Sequence, residues 1–206
     1  MTDTLPPVLA GLGIGIALAG APGPVQAVLL AESVRGGMAR GLRALAGASL
    51  TFGTMLLALA LGVSVLTPEG PLLRVLRFAG GALLLWLALD ATRSGWEATG
   101  EVEAKRGLPP IARGSLAVLL NPGAWLFLGA VASPLLATAT RVAGTANALL
   151  TVIALMGGAA LGDLGVVVLG AGGLRRASPR AGRWIRGALA IVLAALGLWL
   201  LVSGLA

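Results

Sequence analysis

The chain has 206 residues, of which 57% are hydrophobic and only 11% are charged, with a formal net charge of +7. Soluble domains carry about 25% charged residues, so this composition excludes a soluble globular protein and a disordered chain. It contains no cysteine and no histidine, which excludes a disulfide scaffold and removes the usual transition-metal ligand and general base. The mean hydropathy of +0.96 predicts a polytopic membrane protein, and we expect no enzyme activity, no cofactor and no metal site.

Six apolar stretches are long enough for the roughly 20 residues that a membrane-spanning helix needs. They cover 8–31, 44–66, 72–92, 115–137, 145–171 and 186–205. A polar linker, 93–113, separates two three-span halves, 1–92 and 114–206, of a single membrane domain. Because each half has an odd number of spans, the second enters the membrane from the opposite side. The predicted fold is an all-α integral membrane protein with six transmembrane helices in two inverted three-helix repeats.

The basic residues occur in short clusters between these stretches, which indicates membrane topology and not a nucleic-acid surface. Three connections carry 12 of the 15 Lys and Arg residues. The connections on the opposite side carry only Arg74, Arg77 and Arg141. By the positive-inside rule the larger group is cytoplasmic, so both termini should lie outside the cytoplasm of a cell-membrane protein. The first four residues contain no Lys or Arg, unlike a signal peptide, and we expect the first span to be retained.

Spans 1 and 4 are each interrupted by a proline–glycine motif, so that both helices are predicted to be broken. Pro22-Gly23-Pro24 interrupts the first and Asn121-Pro122 the second. Proline removes a backbone donor, and unpaired carbonyls inside a membrane are tolerated only where they are buried in protein or line a cavity. Broken helices in corresponding spans favour a substrate site, whereas a single break would favour a packing kink.

Polar residues deep in the spans are few, and Asp163 in span 5 is the most unusual. An intramembrane carboxylate is costly and is a functional hypothesis by default. Counted from the cytoplasmic ends, Pro24, Asn121 and Asp163 lie roughly 10–12 Å inside the same face. We predict that they share a substrate site with Gln26 and Thr51. Asp163 would carry the coupling proton, with Gln26, Asn121 and Thr51 as its hydrogen-bond partners and no basic residue at that depth.

Glycine and tryptophan residues in the spans favour structural roles. Gly11-x-x-x-Gly15 and Gly158-x-x-x-Gly162 permit close approach of helices. Four tryptophans are expected to anchor the chain at the interface or to pack between helices. They are Trp86, Trp125, Trp184 and Trp199.

Several of these motifs, in this order, resemble the LysE/RhtB family of amino-acid exporters. They are Pro22-Gly23-Pro24 with the arginine-bearing loop after it, the third-span sequence RFAGGALLLWLALDA, the sequence ARGSLAVLLNPGAWLFLGA, and Asp163. One departure is Gly123, where the family usually has Lys or another polar residue. The resemblance implies export of amino acids or related small metabolites, driven by the proton-motive force.

Two other functions stay open from the sequence. A divalent-metal or other small-solute exporter fits the architecture, although one deep carboxylate and no histidine or cysteine make a poor metal path. A membrane scaffold without transport activity is the other. The expected partners are a small-molecule solute, a coupling proton and the lipid bilayer, with a homo-oligomer allowed and no nucleic acid.

Overall fold

The computed structural model describes residues 5–20, 23–62, 70–93, 108–174 and 179–205, and every regular element within these ranges is helical. The all-α prediction is thus confirmed for this part of the chain. The elements are α1 (Leu5–Gly20), α2 (Pro24–Ala60), α3 (Gly70–Arg93), α4 (Pro110–Leu119), α5 (Pro122–Phe127), α6 (Ser133–Val168) and α7 (Pro179–Leu205), with π-helical turns at Leu128–Ala132 and Leu169–Leu174.

Four helical stretches within the described residues are long and apolar enough to cross a membrane: Pro24–Ala60, Pro71–Leu89, Pro122–Gly173 and Gly187–Leu205. Two shorter apolar helices, Pro6–Gly20 and Pro110–Leu119, precede the first and third of them. Large apolar side chains point outward all around, for example Leu50 at 68% and Ile191 at 70% exposure. Since water would disfavour such a surface, the chain is a multi-pass membrane protein.

Two glycines divide the longest helices. In α2, Gly37 has φ 73° and ψ −164°, and in α6, Gly144 has φ 73° and ψ −176°. Positive φ of this kind suits glycine because it has no Cβ atom. The connection predicted between spans 1 and 2 is therefore helical apart from this glycine, and it carries Arg35 and Arg40 within α2.

The helices approach each other closely where glycines meet backbone carbonyls. Helix α1 packs on α6, and a Cβ atom on Gly15 would lie 2.1 Å from the Leu155 carbonyl oxygen. A Cβ atom on Gly158 would lie 2.3 Å from the Leu12 carbonyl oxygen. Both Gly-x-x-x-Gly motifs therefore take part in one interface, and the predicted close approach is confirmed.

The same device joins two other helix pairs. Helix α4 packs on α2, where a Cβ atom on Gly114 would lie 1.9 Å from the Ala44 carbonyl oxygen and one on Gly47 would lie 2.0 Å from the Ile111 carbonyl oxygen. Helices α3 and α7 form the third pair, with Gly81 and Gly197 each facing the other's carbonyl. These contacts hold the three helix pairs together around a shared interior.

Candidate functional site: a cavity at the two helix breaks

Both predicted breaks separate two helices in the structure. Helix α1 ends at Gly20 and α2 begins at Pro24, whose N-cap residue, Gly23, is extended. Helix α4 ends at Leu119 and α5 begins at Pro122. Each new helix thus starts with proline, which tolerates the first helical position because no intrahelical donor is needed there.

The second break is held by its own side chains. Asn121 is the N-cap of α5, and its Oδ1 accepts a hydrogen bond from the Gly123 backbone N–H at 3.0 Å. The Trp125 indole N–H donates to the Leu119 carbonyl at 2.8 Å. The Gly123 N–H at the start of α5 and the Leu119 carbonyl at the end of α4 therefore both have hydrogen-bond partners at the interruption. Trp125 thus has a specific hydrogen bond that its sequence position did not reveal.

A cavity of about 510 Å³ opens where the two breaks meet α2, α3, α6 and α7. Six of the predicted site residues line it: Gly23, Pro24, Gln26, Asn121, Pro122 and Asp163. This volume is within the range of small-molecule sites. Pro22 lies outside the described residues. Thr51 is half-buried on α2 and is not among the lining residues, because that helix turns Ser49 and Phe52 toward the cavity.

Asp163 is buried in the cavity wall, on α6. Gln26 Nε2 donates to Asp163 Oδ1 at 3.2 Å, so the predicted contact with Gln26 is present. The other two predicted partners of Asp163 are placed differently. The side-chain oxygen of Asn121 caps α5, and Thr51 is turned away from the cavity. Among the described residues the hydrogen-bond partner of this carboxyl is thus a neutral amide, with no cation paired to it.

The cavity also contains residues that the sequence did not single out as site residues. Its apolar wall includes Phe52 and Phe127, whose ring centroids are 5.8 Å apart, together with Met156 and Trp199. Arg77 lies in the wall as well, a basic residue that the sequence analysis assigned to a connection between spans. The signal for Arg77 was its place five residues inside the apolar stretch 72–92, too deep for a connecting loop.

A second polar cluster lies between α2, which carries Glu32 and Arg40, and α4, which carries Arg113. Glu32, six residues or about 9 Å beyond Gln26 on α2, is 2% exposed and accepts from two arginines. Arg40 Nε donates to Glu32 Oε2 at 2.6 Å, and Arg113 Nη1 donates to Glu32 Oε1 at 3.0 Å. The Arg113 guanidinium also lies 5.1 Å from the ring centroid of Trp86. We call Glu32, Arg40 and Arg113 the ionic cluster.

Within the described residues no group of three His, Cys, Asp or Glu side chains could hold a metal ion together. What the cavity does offer is a carboxyl, two amides and a guanidinium on a largely apolar wall.

Comparison with known proteins identifies the family. A model of the LysE type translocator family matches residues 16–204, which include both helix breaks and all the helices around the cavity. The chain belongs to the LysE-type translocator family. It is also similar to an uncharacterized membrane protein of Pseudomonas aeruginosa, at 33% identity over 114 residues. That alignment covers 52% of this chain and 53% of the relative, so the chain spans about half of the relative's length. No solved structure matches the chain.

The matched family is, by its description, a family of translocators. The match extends over both halves of the chain, so the resemblance seen in its motifs is confirmed. The cavity at the helix breaks is accordingly the candidate transport site of a LysE-type translocator.

Proposed function

We propose that this LysE-type translocator is a secondary active exporter of amino acids or related small metabolites across the cytoplasmic membrane, coupled to protons. The observation that carries the proposal is the cavity itself. Two broken helices, from the two halves of the chain, meet at one solute-sized space beside the buried carboxyl of Asp163. Sites of secondary transporters are commonly built in this way.

Six membrane crossings in two inverted repeats form part of the proposal. Gly37 and Gly144 share nearly the same backbone conformation. Gly37 ends the helical segment that follows the first break, and Gly144 ends the helical segment that follows the second break. In each half the next long helix begins after this glycine. Helix α1 packs on the part of α6 after Gly144, and α4 packs on the part of α2 after Gly37. Exchanging the two halves converts one pair into the other, which supports a pseudo-twofold relation between 1–92 and 114–206.

Asp163 is the proposed proton carrier. Its hydrogen-bond partner is the neutral amide of Gln26, and Arg77, a charged residue that lines the same cavity, donates to the Ser203 carbonyl, so among the described residues no ion pair holds the carboxylate. Opening the cavity to water on one side and then the other would let the carboxyl release and take up a proton. Proton movement is coupled to solute movement if the cavity changes its open side only with either a proton on Asp163 or a solute bound.

The orientation follows from the basic residues and is tested by cysteine labelling. The proposal puts both termini outside the cytoplasm and the 93–113 linker inside it. The chain has no cysteine of its own, so Lys105→Cys and Glu69→Cys each introduce one unique thiol. In intact cells an impermeant maleimide should label Glu69→Cys alone, and labelling of Lys105→Cys from outside would reverse the orientation.

The decisive experiment is transport into inside-out vesicles. Vesicles with the protein and matched vesicles without it are given a panel of radiolabelled amino acids, with and without an imposed gradient that is acid inside. We expect gradient-dependent accumulation of at least one solute above the control vesicles. Equal uptake in both kinds of vesicle across the panel would leave a scaffold as the better description.

A further inference from the structure

Arg77 differs from the other basic side chains around the helix breaks because it lies in the wall of the cavity. It is half-buried on α3 and lines the same space as Asp163 and Gln26. Three residues further along α3, a Cβ atom on Gly80 would lie 2.2 Å from the Leu120 carbonyl oxygen. Arg77 is therefore one helical turn from the point where α3 touches the second break.

The guanidinium of Arg77 is oriented by a neutral group. Its Nη1 donates to the Ser203 backbone carbonyl on α7, and the Ser203 hydroxyl donates to the Trp199 carbonyl at 2.6 Å. Among the described residues no carboxylate pairs with Arg77. A guanidinium has five N–H donors in a planar fork, so most of them are left for a molecule in the cavity.

The charge of Arg77 is therefore balanced differently from that of Arg113. Arg113 is 3% exposed and pairs with Glu32 inside the protein, whereas Arg77 faces a cavity whose one acidic lining residue, Asp163, bonds to Gln26. An ionic group within a membrane domain is costly unless it finds a counter-charge. A bound carboxylate would supply one, with two parallel hydrogen bonds to the fork.

The remaining wall limits the rest of that molecule. Phe52, Leu126, Phe127, Met156, Leu196 and Trp199 all line the cavity. Such a wall accommodates an apolar side chain at little cost, while a charged side chain packed against it would lose its hydration without a partner.

We propose that Arg77 binds the carboxylate of the transported solute, and that the cavity thereby selects amino acids with apolar side chains over basic ones. The inference rests on the proposed function and specifies the substrate class of the same site. Arg74 provides a matched control, because it is an exposed arginine one turn earlier on the same helix.

The test measures binding and transport of leucine against leucinamide, which lacks the carboxylate. Purified wild type, Arg77→Gln, Arg77→Lys and Arg74→Gln are compared by equilibrium binding of radiolabelled ligand and by uptake into proteoliposomes. Removing a charge-assisted, bidentate contact should weaken leucine binding by about 10- to 100-fold in Arg77→Gln. Arg77→Lys should fall between, since lysine keeps the charge without the fork, and Arg74→Gln should match the wild type.

The inference and the proposed function fail in different ways. Unchanged leucine affinity in Arg77→Gln, or an equal loss for leucine and leucinamide, would overturn the role of Arg77. Wild type that exports lysine but neither binds nor exports leucine would overturn the selectivity while leaving amino-acid export in place. Leucine binding that depends on Arg77, without flux of any solute, would support the role of Arg77 and contradict the proposed export function. Thermal melting of each variant confirms that it is folded.

Discussion

Glu32 on α2 and Asp163 on α6 are both buried carboxyls, yet their hydrogen-bond partners differ in charge. Glu32 accepts from two arginines, and one of them, Arg113, comes from the other half of the chain. Asp163 accepts from the neutral amide of Gln26 and lines a cavity. Glu32 lies six positions after Gln26 on α2, so one helix contributes to both environments.

Because both carboxyls are buried, the charge of their partners distinguishes a structural role for Glu32 from a functional role for Asp163. In the ionic cluster the Glu32 carboxylate is neutralised inside the protein by Arg40 and Arg113, and a buried carboxylate–guanidinium pair is destabilised when either charge is removed. At the cavity Asp163 forms no ion pair among the described residues, and the lining residue Arg77 donates to the Ser203 carbonyl, so the proposal has this carboxyl gain and lose a proton. Charge-neutral substitutions should therefore affect stability at one site and coupling at the other.

The largest effect on stability is expected for Glu32→Gln. The substitution removes the carboxylate charge that pairs with Arg40 and with Arg113, which is 3% exposed, and breaking a buried ion pair in this way costs about 3–5 kcal/mol. Thermal melting in detergent should show a large decrease relative to the wild type. The double variant Glu32→Gln/Arg113→Met should recover part of the loss, and a single variant as stable as the wild type would contradict the neutralisation argument.

A smaller loss is expected where α1 supports the helix that carries Asp163. In Gly15→Ala the new methyl group would meet the Leu155 carbonyl oxygen, two turns before Asp163, and overpacking of this kind costs about 1–3 kcal/mol. Gly13→Ala is the control on the same helix, because a Cβ atom there has nothing within 4 Å. Equal melting temperatures for the two variants would show that the close approach does not hold α6 in place.

The helix breaks were predictable because their chemistry is local. Proline restricts its own helix wherever it occurs, and a single carboxylate in an apolar run is conspicuous. Thr51 was misplaced because depth alone does not give the phase of a helix. Arg77 was counted with a loop, and the pairing of Glu32 with Arg113 joins residues 81 positions apart. Both depend on tertiary packing, which a single sequence does not display.

At the second break the expected loss of stability is smaller again. Asn121→Ala removes the cap on the Gly123 N–H, worth about 1 kcal/mol, whereas its position in the cavity predicts a much larger loss of transport. Pro24→Ala should behave alike, since healing a kink restores about one helical hydrogen bond. Asn121→Ser keeps an oxygen that can cap α5 but removes the amide from the cavity, so it distinguishes the effect of the lost cap on stability from the effect of the lost amide on transport. Parallel losses of folded yield and flux would assign the breaks to packing.

Asp163→Asn is expected to change stability least, by less than about 1 kcal/mol. The new amide oxygen can accept from Gln26 as the carboxyl does, and an amide resembles the neutral acid in size and charge. Melting should therefore stay near the wild type, in contrast to Glu32→Gln. The two substitutions are matched, because each converts one buried carboxyl to its amide.

The same variant should separate exchange from accumulation. Without a titratable group at the cavity, Asp163→Asn should still exchange labelled for unlabelled solute across inside-out vesicles, because exchange needs no net proton movement. It should fail to accumulate solute when a gradient that is acid inside is imposed, since no proton can be returned for each solute moved. Gradient-driven accumulation equal to that of the wild type would show that Asp163, like Glu32, serves the structure. The coupling group would then have to lie elsewhere in the chain.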